Sequence, residues 1–150
     1  GTVPRVHNEK NWSGYREMII DGKKEEDNIP EDQSLVINTP KGLALVSGCG
    51  HAGIVNTLEH TSKLFNESSS IYAAVGGFHL FNKNNKDISW TAKHMKKHGI
   101  KYLLGAHCTG IDAVYQIRKK NRMKREHCSV SAIGSYLDLE KGMYSGLITK

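Results

Sequence analysis

The stretch Gly42-Leu-Ala-Leu-Val-Ser-Gly-Cys-Gly-His51 decides how the rest of the chain is read. Its apolar run has the length of a buried strand, a small-residue turn follows, and a histidine closes it. A helix is expected next. Ile54, Leu58, Thr61 and Phe65 recur at three- and four-residue spacing, with Val55 and Leu64 flanking that stripe.

The same unit is stated twice more. Ile71-Tyr-Ala-Ala-Val-Gly-Gly-Phe-His79 leads through a polar loop to a helix expected from Ser89, its N-cap, to Gly99, its stop. Lys101-Tyr-Leu-Leu-Gly-Ala-His107-Cys-Thr-Gly110 leads to a helix bearing Ile111, Val114, Tyr115 and Arg118. On the N-terminal side, a strand at Ser34 to Asn38 is joined to Gly42–Ser47 by the turn Thr39-Pro40-Lys41. A short strand is expected at Glu17 to Asp21. The run Lys23 to Asp32, beside Gly22 and containing Pro30, reads as an exposed loop. The tail holds strands at Ser129 to Ile133 and Tyr136 to Leu139. Strands alternating with helices give an α/β fold, with the helices laid on a sheet.

Composition bounds what this fold does. One hundred and fifty residues, 38% hydrophobic, are enough for one domain with a modest core. No stretch approaches membrane-spanning length, and the start lacks a signal-peptide pattern. The opening Gly1-Thr-Val-Pro-Arg5 has no initiator Met, as expected of a chain that begins inside a longer protein. Cys49, Cys108 and Cys128 are too few for a disulfide framework, so a reducing cytoplasm is the default expectation. The net charge of +6 owes much to the run Arg118 to Arg125. A solvated helix end is the first reading of that run, a phosphate-bearing ligand the second. Nucleic acid is disfavoured, because no aromatic residues interleave with it.

In α/β folds, ligands bind where the loops leave the carboxyl ends of the strands. His51, His79 and His107 all occupy such positions, each with glycines close by in the loop. A lone loop histidine is more often a surface or hydrogen-bonded residue than a ligand. Three in one structural context shift the balance toward a shared zinc or iron site. Cys49, two residues before His51, and Cys108, directly after His107, add a competing chemistry as thiolate ligands or histidine-activated nucleophiles. A small buried cysteine at a strand end is the commoner case. His94 and His98 are four apart on a helix but lack the glutamate of the zincin pattern. His7, His60 and His127 read as surface residues.

The runs Ser47 to Thr57 (Ser-Gly-Cys-Gly-His-Ala-Gly-Ile-Val-Asn-Thr), Val75 to Leu80 (Val-Gly-Gly-Phe-His-Leu) and Gly105 to Gly110 (Gly-Ala-His-Cys-Thr-Gly) resemble one branch of the metallo-β-lactamase superfamily. That branch includes the dihydropterin-forming phosphate synthases of the methanopterin pathway. The opening Gly1 to Arg5 resembles a segment found midway through those proteins. The resemblance implies the C-terminal half of an αβ/βα sandwich, with helices on one face of a mixed sheet. The whole chain, 1–150, would form that one unit. The hallmark His-x-His-x-Asp-His of the N-terminal half does not occur in it.

The resemblance further implies a divalent metal, zinc first and manganese or iron next, as one or two ions. His51 and His107 are the ligands it suggests, with His79 as a ligand or substrate contact and Cys49 as a further candidate. The bridging aspartate of many superfamily members is missing, because Cys49 follows Gly48 and no carboxylate ends any of the three strands. The complete protein is then expected to attack a phosphoester, lactone or related small anion through a metal-bound hydroxide. The isolated chain is expected to be inactive and to pair with a complementary N-terminal half or with itself. Two rivals remain. One is a non-catalytic metal- or partner-binding fragment; the other is a cysteine–histidine hydrolase without metal.

Overall fold

The computed structural model describes residues 2–9, 16–65 and 70–146. Its centre is a five-stranded mixed sheet in the order β3-β4-β5-β6-β7, built from Ser34–Thr39, Gly42–Ser47, Ile71–Gly76, Tyr102–Gly105 and Cys128–Val130. β3 runs antiparallel to β4, and the other neighbours are parallel. Three helices make the parallel crossovers: α1 (Ile54–Leu64), α2 (Asn85–Lys97) and α3 (Ile111–Asn121). Strand order advances by one at each crossover, so the usual right-handed connection places all three helices on one face.

That face holds the main core. Leu43, Leu45, Ala74, Leu103 and Cys128 from the strands pack against Ile54, Leu58, Ile88, Met95, Val114 and Ile117 from the helices. The opposite face is only half covered. A C-terminal hairpin of β8 (Tyr136–Asp138) and β9 (Gly142–Tyr144) brings Leu137 and Met143 against Ala44, Tyr72, Ala73 and Tyr102. On the β3–β4 side of that face, Leu35, Ile37 and Val46 stay 60%, 43% and 39% exposed.

Several sequence expectations are corrected. Helix α2 starts at Asn85, not near Ser89, because Asn84 is its N-cap and its side chain accepts from the Asp87 N–H at 3.0 Å. Lys23–Glu26 is strand β2, not loop; it pairs with β1 (Glu17–Ile20) through the tight turn at Asp21-Gly22. On α3 the buried residues are Ala113, Val114 and Ile117, while Ile111 and Tyr115 are exposed. The first tail strand ends at Val130, short of Ile133, and β9 was not foreseen. His7, His60 and His127 are half-buried rather than on the open surface. The basic residues Lys119, Lys120, Arg122, Lys124 and Arg125 are exposed around the C-terminal end of α3, where positive charge complements the helix dipole.

The polar N-terminal segment also has a structural task. Helix α1 has no side-chain cap from its own flank, since Gly53 precedes it. Buried Glu9 supplies one from a distance, accepting from the N–H groups of Val55 at 3.2 Å and Asn56 at 2.8 Å. Gly53 is required for this approach: its φ is +95°, and a Cβ there would meet the Glu9 carboxylate at 2.3 Å. Glu9→Ala, which leaves two buried donors unpaired, should cost about 1–3 kcal/mol, with Glu9→Gln costing less.

Burial raises the Glu9 carboxyl above its ordinary range, although the two backbone bonds act the other way. A raised acid pKa favours the folded state once the group is protonated. The wild type should therefore gain stability over Glu9→Gln as pH falls from above the raised pKa toward the ordinary carboxyl value. Thermal denaturation of the three proteins across that range checks both the sign and the size.

Candidate metal centre

Cross-strand register sets the level of the site. Ser47, Gly76 and Gly105, the last residues of β4, β5 and β6, are paired in one row across the sheet. The three following loops therefore leave from the same height, and their histidines arrive four, three and two residues later.

Backbone and thiol contacts lace the loops together. Gly77 N–H donates to Ser47 O at 3.2 Å and Ala106 N–H to Gly76 O at 2.8 Å. The Thr109 hydroxyl accepts from Phe78 N–H at 3.1 Å and donates to Gly76 O at 3.0 Å. Cys108 Sγ accepts from His79 N–H at 3.2 Å and donates to Cys49 O at 3.3 Å. Gly77 lies between the flanking loops, where a Cβ would meet Gly48 O at 2.4 Å and Cys108 Sγ at 3.1 Å. His79 and His107 both hold left-handed backbone, with φ of 44° and 50°. Such conformations cost a non-glycine residue about 1–3 kcal/mol and persist only where the surroundings enforce them.

These loops gather the side chains around Cys49. Its Sγ lies 3.4 Å from His79 Nδ1, 3.8 Å from His107 Nδ1 and 2.9 Å from Cys108 Sγ. The rings of His51 and His79 are 4.8 Å apart. Two groups of donor atoms each fall within 4.8 Å: Cys49, His51 and His79 in one, and Cys49, His107 and Cys108 in the other. Cys49 belongs to both. The set is rich in nitrogen and sulfur donors, and it grades from buried His79 to exposed His107.

Electrostatics favour neutral donors here. Burial, then the neighbouring His51, holds the His79 imidazole below the ordinary histidine range, leaving a lone pair free of its second proton at neutral pH. Burial, then contact with Cys108, pushes the Cys49 thiol up to about 12. A thiol raised that far is a poor unassisted nucleophile, which weighs against the metal-free cysteine–histidine reading. Cys128, fully buried and also pushed up to about 12, packs beneath α3 with its thiol 3.7 Å from Val114 O.

Sequence reading passed over one carboxylate. Asp32 Oδ2 accepts from the His51 N–H at 2.7 Å, and Oδ1 lies 3.9 Å from His51 Nδ1. It comes from the segment before β3, nineteen residues away in the chain, so no local spacing announces it. Asp32 thereby fixes the backbone of the His51 loop, while its 3.9 Å approach to the ring is longer than a hydrogen bond. Arg5 adds a further tie, donating to His51 O at 2.8 Å and to Asn28 O.

No family model matches the chain. It is 42% identical over 87 residues to the 7,8-dihydropterin-6-methyl-4-(beta-D-ribofuranosyl)-aminobenzene-5'-phosphate synthase of Methanocaldococcus jannaschii, covering 58% of this chain and 29% of that protein. An uncharacterized protein of the same organism is 31% identical over 127 residues, covering 85% of this chain and 45% of its own length. The chain thus spans less than half of the curated relatives it matches. Among solved structures it is similar to Tm1679, a metal-dependent hydrolase of the beta-lactamase superfamily, with a TM-score of 0.65 and 31% identity over 72% of this chain and 41% of that one. Sequence, sheet and strand-end motifs agree: the chain has the α/β fold of a beta-lactamase-superfamily hydrolase and resembles the branch that contains this phosphate synthase.

Proposed function

We propose that the chain is the C-terminal half of a metallo-β-lactamase domain and supplies part of the metal site of a hydrolase, or hydrolase-like transferase. The substrate class is a phosphoester, lactone or related small anion. The observation that carries this reading is the gathering of His51, His79 and His107 around Cys49 at three level strand ends. His51 and His107 would hold the ion, with His79 and Cys49 as further donors. Imidazole and thiol donors suit zinc first, with iron or manganese next once the missing half adds its own donors. Such an ion supplies Lewis acidity, lowering the pKa of a coordinated water to about 7.

The chain's own residues do the rest. Asp32 fixes the His51 loop, and the laced Gly77–His79 loop presents a neutral, buried imidazole to an incoming anion as a hydrogen-bond donor. The fraction of each relative covered supports a second reading, a fragment that binds metal or a partner without turnover.

Activity separates the two. A longer protein joining this chain to a segment with His-x-His-x-Asp-His should hydrolyse an activated phosphodiester or lactone. It should lose that activity to a chelator, while this chain alone stays at background. A longer protein that takes up metal yet turns over none of these substrates would establish the non-catalytic reading. Activity that survives chelation but not thiol alkylation would replace both readings with cysteine chemistry.

A further inference from the structure

A second set of donors lies in the helical layer and shares no residue with the strand-end site. The N-terminal segment is pinned to α1 by reciprocal bonds: His7 N–H donates to Asn56 Oδ1 at 2.7 Å, and Asn56 Nδ2 donates to His7 O at 3.0 Å. Glu9, two residues on, caps the same helix. The backbone of His7 is therefore fixed, and its ring is directed at Glu59 on α1, with Nε2 2.7 Å from Oε1. His94 on α2 closes the group, its ring 5.5 Å from that of His7 and 4.4 Å from Trp90.

One donor atom from each of His7, Glu59 and His94 falls within 4.8 Å of the other two. All three residues are half-buried. Zinc–nitrogen and zinc–oxygen bonds of about 2.0–2.2 Å place tetrahedral ligand atoms roughly 3.4 Å apart, so small side-chain adjustments suffice. The Nδ1 atom of His94 is buried with no hydrogen-bond partner among the described residues.

We propose that His7, Glu59 and His94 form a second divalent-cation site, of the zinc class, that staples the N-terminal segment to α1 and α2. Two imidazoles and one carboxylate are borderline donors that suit zinc, cobalt or copper and are poor partners for calcium or magnesium. The His7–Glu59 hydrogen bond would give way to two bonds to the ion, with the imidazole proton carried on Nδ1 of His7. An open cleft of about 480 Å³, lined by Glu9, Lys83, Asp87 and Trp90, reaches the His7 side of the group. The structure also contains a local reporter. Trp90 touches both histidine rings, its centroid 5.4 Å from that of His7, and an open-shell ion bound there quenches its emission.

The test is a Co²⁺ titration of the full chain in a Trp12→Phe background, which leaves Trp90 as the sole tryptophan. Saturable quenching reversed by Zn²⁺ is expected. Glu59→Gln and His94→Gln should each weaken it by at least about tenfold, the lower range for disturbing a metal site. His51→Ala, at the strand-end site, should leave it unchanged. Glu59→Gln keeps the size of the side chain and a hydrogen bond to His7, so it decides the matter even where His94→Gln does not fold. Quenching that is absent, that survives Glu59→Gln, or that follows His51→Ala instead would reduce the cluster to an ordinary hydrogen-bonded pair packed on a tryptophan.

Discussion

His51→Ala and His107→Ala are each expected to weaken zinc binding at the strand-end site by more than about 100-fold, beyond the 10–100-fold typical of removing an outer-shell partner. The expectation follows from the small number of donors. Cys49 is shared between two groups of three, and removing a histidine from either leaves two donors in that group. Asp32→Asn should act more mildly, within that 10–100-fold range, because it only loosens the loop that carries His51. Cobalt absorption makes the measurement specific, since a thiolate–cobalt charge-transfer band reports ligation by Cys49 or Cys108 and is silent for the His7–Glu59–His94 cluster. Full retention of that band with undiminished affinity in His51→Ala and His107→Ala would remove both from the ligand set. Its loss in Cys49→Ser alone would show that the thiol, not the histidines, leads binding.

At micromolar concentration the chain alone should sediment as a concentration-dependent mixture of monomer and loosely self-associated species, not as a stable lone monomer. Leu35 and Val46 are cross-strand partners, and Ile37 is paired with Ala44 on the same face, so the exposed side chains form one patch rather than scattered residues. The C-terminal hairpin covers Tyr72 and Tyr102 but stops short of Leu35, Ile37 and Val46. The expected covering is therefore smaller than a wholly bare sheet face would require. A patch of roughly 300 Å², at the lower edge of the range at which exposed apolar surface marks an interaction site, contributes about 7 kcal/mol when covered. Association costs about 4–15 kcal/mol, so self-pairing is weak and the occupant that fits best is the complementary N-terminal half. Adding a polypeptide with that half should convert loose self-association into a one-to-one complex, and Leu35→Lys with Val46→Lys should abolish both. A stable monomer that ignores the added half would overturn the half-domain proposal.

Much of this was legible in the chain itself. A run such as Leu43–Val46, bounded by glycine and followed by a three-four apolar stripe, can bury its side chains only as a strand beneath a helix, and its threefold recurrence fixes an α/β sheet. The histidines at the strand ends were legible for the same reason, since each strand carries its own closing residue. What the sequence could not state was which distant groups meet. Asp32 reaches His51, Glu9 caps α1, and His7 finds Glu59 and His94 only because the chain returns across helices formed elsewhere.

Surface also misled the reading where propensity was weak. Lys23–Glu26 has charge on every residue and becomes a strand only through its partner β1. Ile111 and Tyr115 continue an apolar spacing on α3 yet face solvent, because the docking of that helix on β7 and α2 selects Ala113, Val114 and Ile117. Local pattern settles which elements form; long-range packing, in which each contact depends on where every other element already lies, settles which side chains become neighbours.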